Sequence, residues 1–211
     1  SVTFAGESLR DFVSESFDDH VKLILEQDGG DPVRRDYTPR RFDRQKGELT
    51  LEFALHGQGA ASDWARQARV GQTVRVGGPR GSMIVPMDYD WHLLVGDATA
   101  LPAIARRLEE LPAGTRAEVF VQLDDPADRR ALPSEATAGV HWYATTEDLV
   151  GAVRAWTLPA GEGFVWCAGE AVAMAALRQV LLQDKGHPKE AAKIAAYWKL
   201  GASDYHERLE G

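Results

Sequence analysis

The sequence predicts two successive domains, a small antiparallel β-barrel over residues 1–88 and an α/β domain built on a parallel sheet over residues 89–211. Three observations carry that expectation. Before Pro86 the apolar residues recur at every second position with turns between them, the pattern of short strands that each bury one face. From Trp91 onward, uninterrupted apolar runs alternate with stretches of helical spacing, the pattern of strands covered on both faces by helices. The segment Pro86 to Asp90 separates the two regimes.

In the first region "HVKLILEQ" sets Val21, Leu23 and Leu25 on one face. "ELTLEFALHG" alternates Leu49, Leu51, Phe53 and Leu55 against Thr50, Glu52 and Ala54 and is expected to run as one strand. Lys46-Gly47 just before it reads as a hairpin turn. "GQTVRVGGPRG" adds a short strand ending in a glycine-rich corner, and antiparallel strands at this spacing suit a small barrel. In the second region "WHLLVG" is a buried strand and "ALPAIARRLEELP" a helix facing inward through Leu101, Ile104, Leu108 and Leu111. "RAEVFVQL" and "VHWYAT" are two further strands. "GFVWCAG" is expected to be the last strand, followed by the helix "EAVAMAALRQVLLQ".

Composition narrows the function classes. The 211 residues carry a formal net charge of -8, which disfavours nonspecific binding to nucleic acid or anionic lipid, so positive charge must act locally. No apolar run reaches the roughly 18 residues of a membrane span, and the chain does not open on a basic then apolar stretch. One cysteine, Cys167, forms no internal disulfide and fits a reducing compartment. A cytoplasmic protein without membrane insertion or a nucleic-acid partner is expected, and a monomer. The six histidines show no metal-ligand spacing, so no zinc or iron–sulfur site is expected.

Three stretches point to chemistry. "RRDYTPRRFD" gathers basic side chains around Tyr37 and Thr38. Charge alone fits an exposed strand of solvated arginines. The order of residues also fits a flavin nucleotide: Arg35 can clamp a phosphate, the Tyr37 ring can lie against a planar heterocycle, and the Thr38 hydroxyl can bond a ring nitrogen if the chain bends after Tyr37. "HGQGAASDWARQA" offers glycines for close backbone approach and Ser62 as the N-cap of a short helix, whose free amides suit a pyrophosphate; a capped helix on a small-residue loop is also common in its own right. "LLVGDATALPAI" and "FVWCAGEA" each place a small-residue turn at the carboxyl end of a strand, where open sheets bind nucleotides, although no G-x-G-x-x-G is present.

These stretches, with "GGPRG" and "YWKLG", stand in the order and at about the spacing of the siderophore-interacting proteins, the flavin-dependent ferric-siderophore reductases, and the chain resembles that family over essentially its whole length. The resemblance implies a ferredoxin-NADP reductase-like fold: a six-stranded antiparallel FAD-binding barrel followed by a Rossmann-like NAD(P)H-binding domain. It implies that a hydride passes from NADPH or NADH to flavin N5 and that single electrons pass on to Fe(III) in a siderophore. It assigns Arg35, Tyr37 and Thr38 to FAD, with Tyr37 and Thr38 against the reacting ring, His56 and Gly57 to the adjoining loop, and Ala61, Ser62 and Trp64 to the pyrophosphate helix. Asp97, Thr99 and Ala100, followed by Pro102, fall on the nicotinamide-side turn, and Gly169 and Glu170 on the second turn. Arg40, Arg41, Arg80 and Lys199 are the candidates for attracting an anionic ferric siderophore.

The sequence departs from the family in several places. Gly59-Ala60-Ala61 replaces a glycine-proline loop, Ala196 and Lys199 stand where glycine and arginine are frequent, and a strand normally precedes "SVTFAGESL", so the first strand is expected to be missing. Two rival readings remain: a general NAD(P)H-dependent flavin or electron-transfer reductase, and a non-catalytic siderophore carrier. After the second sheet strand, Asp124 or Asp125 suits the ribose of NADH while Arg129 and Arg130 suit the extra phosphate of NADPH, and the balance leans to NADPH. Cys167, Trp91, Trp142 and Trp166 are expected to be core residues, although Cys167 could also lie beside the nicotinamide.

Overall fold

Val21, Leu23 and Leu25 are buried on one face of a strand, as their alternation requires. The computed structural model that shows this describes residues 1–27, 29–55 and 59–202. The chain forms two units, Ser1–Val85 and Pro86–Gly211.

The first unit has strands Val2–Ala5 (β1), Val21–Leu25 (β2), Val33–Tyr37 (β3), Arg41–Asp43 (β4), Glu48–Leu51 (β5) and Arg75–Gly77 (β6). They pair antiparallel as two three-stranded sheets, β1-β5-β4 and β3-β2-β6, so six strands are present among the described residues. Helix α1, Ala60–Gln67, packs Ala61 against Leu23 and Leu25; Phe12, Val21, Leu49 and Leu51 form the neighbouring cluster. The hairpin at Lys46-Gly47 joins β4 to β5, and Gly47 takes a positive φ of 64° there.

The strand expected through Leu55 stops at Leu51. Leu49 and Leu51 are buried, Phe53 is only half-buried and Leu55 is exposed, so alternation outlasts the partner strands that would pair with it.

The second unit carries five parallel strands, Trp91–Asp97 (β7), Arg116–Gln122 (β8), Thr137–Tyr143 (β9), Gly163–Glu170 (β10) and Ala192–Trp198 (β11), in the order β11-β10-β7-β8-β9. Every residue of β7 is buried, the mark of a central parallel strand. Helix α2, Leu101–Glu110, packs on β7 and β8. Helices α3, Thr146–Ala155, and α4, Ala171–Arg178, join Trp91, Leu93, Val95, Phe120, Val165 and Cys167 in one cluster.

One expectation fails here. "GFVWCAG" is not the last strand, because β11 adds a parallel edge beside it. Helix α3 starts on a capping signal carried by Thr145 and Asp148: the Thr145 hydroxyl accepts from Asp148 N at 3.1 Å and caps the helix.

The strand order defines the functional edge. From β7 the chain winds one way through β8 and β9, then returns to place β10 on the other side of β7. Open α/β sheets bind ligands at the carboxyl ends of strands where the winding reverses, which here are Asp97 on β7 and Glu170 on β10.

Candidate functional site

In the first unit, β3 presents Val33, Arg35 and Tyr37 on its half-buried face and Arg34 and Asp36 to solvent. The strand ends ahead of Pro39, and Thr38 between them is 7% exposed. Burial pushes the Tyr37 hydroxyl up to about 12, against a smaller opposing pull from the Arg35 guanidinium beside it. Tyr37 is therefore a neutral hydrogen-bonding phenol at physiological pH. Its ring lies 4.5 Å from Phe53, and Phe53 lies 5.8 Å from Trp64, so an aromatic run links β3 to α1. Arg35 Nη1 also donates to Arg34 O at 2.8 Å.

Ser62 is not the N-cap. Gly59, extended at φ -179°, holds that position, because Ala60 and Ala61 are strong helix formers and extend α1 toward the N terminus. The Ser62 hydroxyl donates to Ala54 O at 3.4 Å. Among the described residues no side chain caps α1 and nothing lies within 4 Å of where a Gly59 Cβ would stand. An uncapped helix start opening on space keeps its first amides available, which fits a flavin dinucleotide's pyrophosphate. His56 and Gly57 lie outside the described residues.

The basic candidates separate by environment. Arg40 Nε sits 3.4 Å from Glu52 Oε1 with both side chains largely covered, so this arginine is an internal ion pair. Arg41, Arg80 and Lys199 are exposed.

In the second unit one carboxylate organises the sheet's carboxyl edge. Asp97 is 8% exposed. Its Oδ1 accepts from Thr99 N at 2.8 Å and Thr99 Oγ1 at 2.5 Å; its Oδ2 accepts from Glu170 N at 2.9 Å and Trp198 Nε1 at 2.8 Å. Three strand ends, β7, β10 and β11, meet on this side chain. Gly169, at φ +153°, leaves the space: a Cβ there would stand 2.6 Å from Asp97 Oδ2. Gly96 serves the same end, since its Cβ would fall 2.4 Å from Ala100 Cβ and 2.6 Å from Ala168 O.

Glu170 changes the reading of the second turn. Its Oε2 accepts from Val172 N at 2.6 Å and Ala173 N at 3.2 Å, capping α4, and its Oε1 accepts from Leu200 N at 3.3 Å. The amides expected to be free at this turn are thus engaged by the chain's own carboxylate. No side-chain hydrogen bond caps α2, which starts after Ala100, but Thr99 N is held by Asp97 Oδ1, Ala100 N by Asp97 O at 3.0 Å, and Pro102 carries no N–H, so the first turn is also largely engaged by its own chain. Trp198, the tryptophan of "YWKLG", joins the site through its bond to Asp97, and nothing in the sequence beyond that short stretch signals it.

Cys167 is fully buried in the sheet cluster, and burial raises its thiol pKa, so it is a core residue. Trp91 and Trp166 are likewise buried, whereas Trp142 on the edge strand β9 is only half-buried. Beyond β8, the Asp124 carboxylate accepts from Gln122 Nε2 and that of Asp125 from Ala127 N, each at 2.8 Å, while Arg129 and Arg130 are exposed.

A doubly wound sheet preceded by two small antiparallel sheets, with a basic-aromatic strand in the first unit and an acid-organised edge in the second, defines the ferredoxin-reductase class of flavin proteins. A ferredoxin NADP+ reductase from Neisseria gonorrhoeae has the same fold, with a TM-score of 0.65 over 93% of this chain and 91% of that one, at 13% identity. The siderophore-interacting protein pattern matches residues 89–201, and the siderophore-interacting FAD-binding domain pattern matches residues 27–83. The chain belongs to the siderophore-interacting protein family. It is 34% identical to an NADPH-dependent ferric-chelate reductase of Escherichia coli (strain K12), over 93% of this chain and 85% of that one. A siderophore utilization protein from T. fusca matches with a TM-score of 0.89 at 32% identity, over 97% of this chain and 88% of that one.

Proposed function

We propose that this protein is an FAD-dependent ferric-siderophore reductase that draws electrons from NADPH. One observation carries the reading: within the region matched by the family's FAD-binding domain, Arg35 and Tyr37 share one half-buried face, and α1 begins without a side-chain cap. Residues 1–88 are proposed to hold FAD and residues 89–211 the nicotinamide nucleotide.

FAD, once bound, supplies conversion of a two-electron donor into a one-electron donor, accepting a hydride from the nicotinamide and passing electrons singly to Fe(III). The chain's residues do the holding. Arg35 pairs with the flavin nucleotide's phosphate, Tyr37 and Thr38 contact its ring system, and the α1 amides at Ala61 and Ser62 take the pyrophosphate, with Trp64 bracing the helix through Phe53. Asp97 and Thr99 shape the nicotinamide turn with Ala100, and Gly169 and Glu170 close its other side. The exposed Arg129 and Arg130 support NADPH over NADH, since nearby Asp124 and Asp125 already accept local hydrogen bonds.

Fe(III) is substrate and needs no ligand from this chain. Hard siderophore oxygens hold Fe(III) far better than Fe(II), so reduction loosens the metal. Many ferric siderophores are anionic, and Arg41, Arg80 and Lys199 are each proposed to attract them; the ion pair with Glu52 removes Arg40 from that role. The single cysteine supports a reducing, cytoplasmic setting. A monomer suffices, since every residue given a role lies in one chain.

The reading is tested by an acceptor screen on the FAD-loaded protein with NADPH and NADH in parallel. Turnover with ferric siderophores above that with ferricyanide or free flavin supports it. Equal turnover with all acceptors would identify a general flavin reductase instead.

A further inference from the structure

Asp19 is a buried carboxylate with no part in the site so far described. It is 3% exposed, and three donors converge on its Oδ2: Ser14 Oγ at 2.8 Å, Ser16 N at 3.1 Å and Ser82 Oγ at 2.7 Å. Ser82 in turn accepts from Glu15 N at 3.3 Å. Two loops, 14–19 and 78–82, are thereby joined across 63 positions of sequence. Its Oδ1 is buried without a partner among the described residues, so the three bonds to Oδ2 are what hold this buried carboxylate and fix the junction.

What that junction fixes is an arch. One foot is Gly77, paired with Lys22 at the end of β6. Beyond it Gly78 takes φ +95°, and a Cβ there would lie 3.5 Å from His20 O, so this foot turns in ordinary contact with the start of β2. The other foot is Ser82 on Asp19. Between the feet, Arg80 and Gly81 are exposed, and nothing stands within 4 Å of a Gly81 Cβ among the described residues.

We propose that Asp19, through Ser82, is the positioning residue for Arg80, holding its guanidinium where it meets an anionic iron chelate. The inference rests on the reductase reading for its ligand class and on the Asp19–Ser82 bond for its geometry. Asp19 is buried, so its effect on the chelate runs through Ser82 and the arch. A side chain with Arg's rotamer freedom binds better when the backbone that carries it is pinned at both ends.

The test is binding of the redox-inactive Ga(III)–EDTA complex to the FAD-loaded protein by calorimetry, alongside steady-state reduction of Fe(III)–EDTA and of the neutral tris-acetohydroxamate complex. Ser82→Ala is expected to weaken Ga(III)–EDTA binding and raise the Fe(III)–EDTA KM by about three- to tenfold, as loss of a rim charge does, leaving kcat and the neutral chelate's KM unchanged. Ser82→Thr, which keeps a hydroxyl, should restore binding. Ser82→Ala added to Arg80→Ala should cost nothing more, because the two act as one unit. Wild-type protein that does not bind Ga(III)–EDTA, a Ser82→Ala variant that binds it as tightly as wild type, or losses that simply add would each overturn the proposal. The gallium readout needs no electron transfer, so a protein that binds the chelate but forms no Fe(II) would refute the reductase reading while leaving the role of the Asp19–Ser82 arch standing.

Discussion

Trp198 Nε1 donates to Asp97 Oδ2 at 2.8 Å, joining residues 101 positions apart at the carboxyl edge of the sheet. With Glu170 N on the same oxygen and Thr99 on the other, Asp97 is an acceptor on both sides and a donor on neither.

Asp97→Asn is therefore expected to be severe despite its shape. In one orientation the amide NH2 faces Glu170 N and Trp198 Nε1; in the other it faces Thr99 N, while the Thr99 hydroxyl can turn to accept, so at least one buried N–H is left facing a donor and the charge that all four bonds served is gone. The expected cost is roughly 2–4 kcal/mol in urea unfolding, with slower flavin reduction by NADPH. Wild-type stability in the variant would show that Asp97 does not hold the edge.

His92 gives the protein an acid-sensitive core. It is fully buried on β7, neither ring nitrogen has a hydrogen-bond partner among the described residues, and burial, reinforced by the nearby Arg107 cation, lowers its pKa from 6.5 to about 4. The unfolded chain takes up the proton first, so stability is full above about pH 6.5 and falls as pH drops toward 4, by on the order of 3 kcal/mol. His92→Leu should flatten that slope. A variant that unfolds with the wild-type pH dependence would refute the assignment.

These two residues mark how much the sequence could tell. Strands β2, β7 and β10 were legible because their signals are local, an alternation in "VKLIL" and unbroken apolar runs in "WHLLVG" and "GFVWCAG". Strand β11 was not, because "AKIAAYW" is an edge of small residues with Lys193 among them and only Ile194 buried. Helix α3 buries only Leu149, Val150 and Val153 and carries Gly151, a weak helical stripe. The candidate turn residues were found by type and position. Their partners were not, since the bonds from Trp198 to Asp97, Ser82 to Asp19 and Leu200 to Glu170 depend on a register that no local pattern reports.

Arg35→Ala should lose FAD. One arginine on the half-buried face of β3 is given the phosphate, and removing a charge-assisted bidentate contact costs about 2–3 kcal/mol, a fall of roughly 30- to 160-fold in affinity. The flavin absorbance retained after gel filtration measures it. Full occupancy would move the phosphate elsewhere.

Lys199→Glu should slow reduction of an anionic ferric chelate by about tenfold at low salt, with the difference shrinking as ionic strength rises, and should leave a neutral chelate unaffected. Lys199 is exposed immediately after β11, beside the Leu200 amide that Glu170 holds. Equal rates for both chelates in the variant and wild type would remove Lys199 from substrate attraction.

The central claim is that bound FAD carries electrons from NADPH to siderophore iron. The direct measurement is anaerobic trapping of Fe(II) by a ferrous-specific chelator, with FAD-loaded protein, a ferric siderophore and limiting NADPH. The account predicts about two Fe(II) trapped per NADPH oxidised, and none with flavin-free protein. NADPH consumed without Fe(II), or Fe(II) formed equally without flavin, would contradict it.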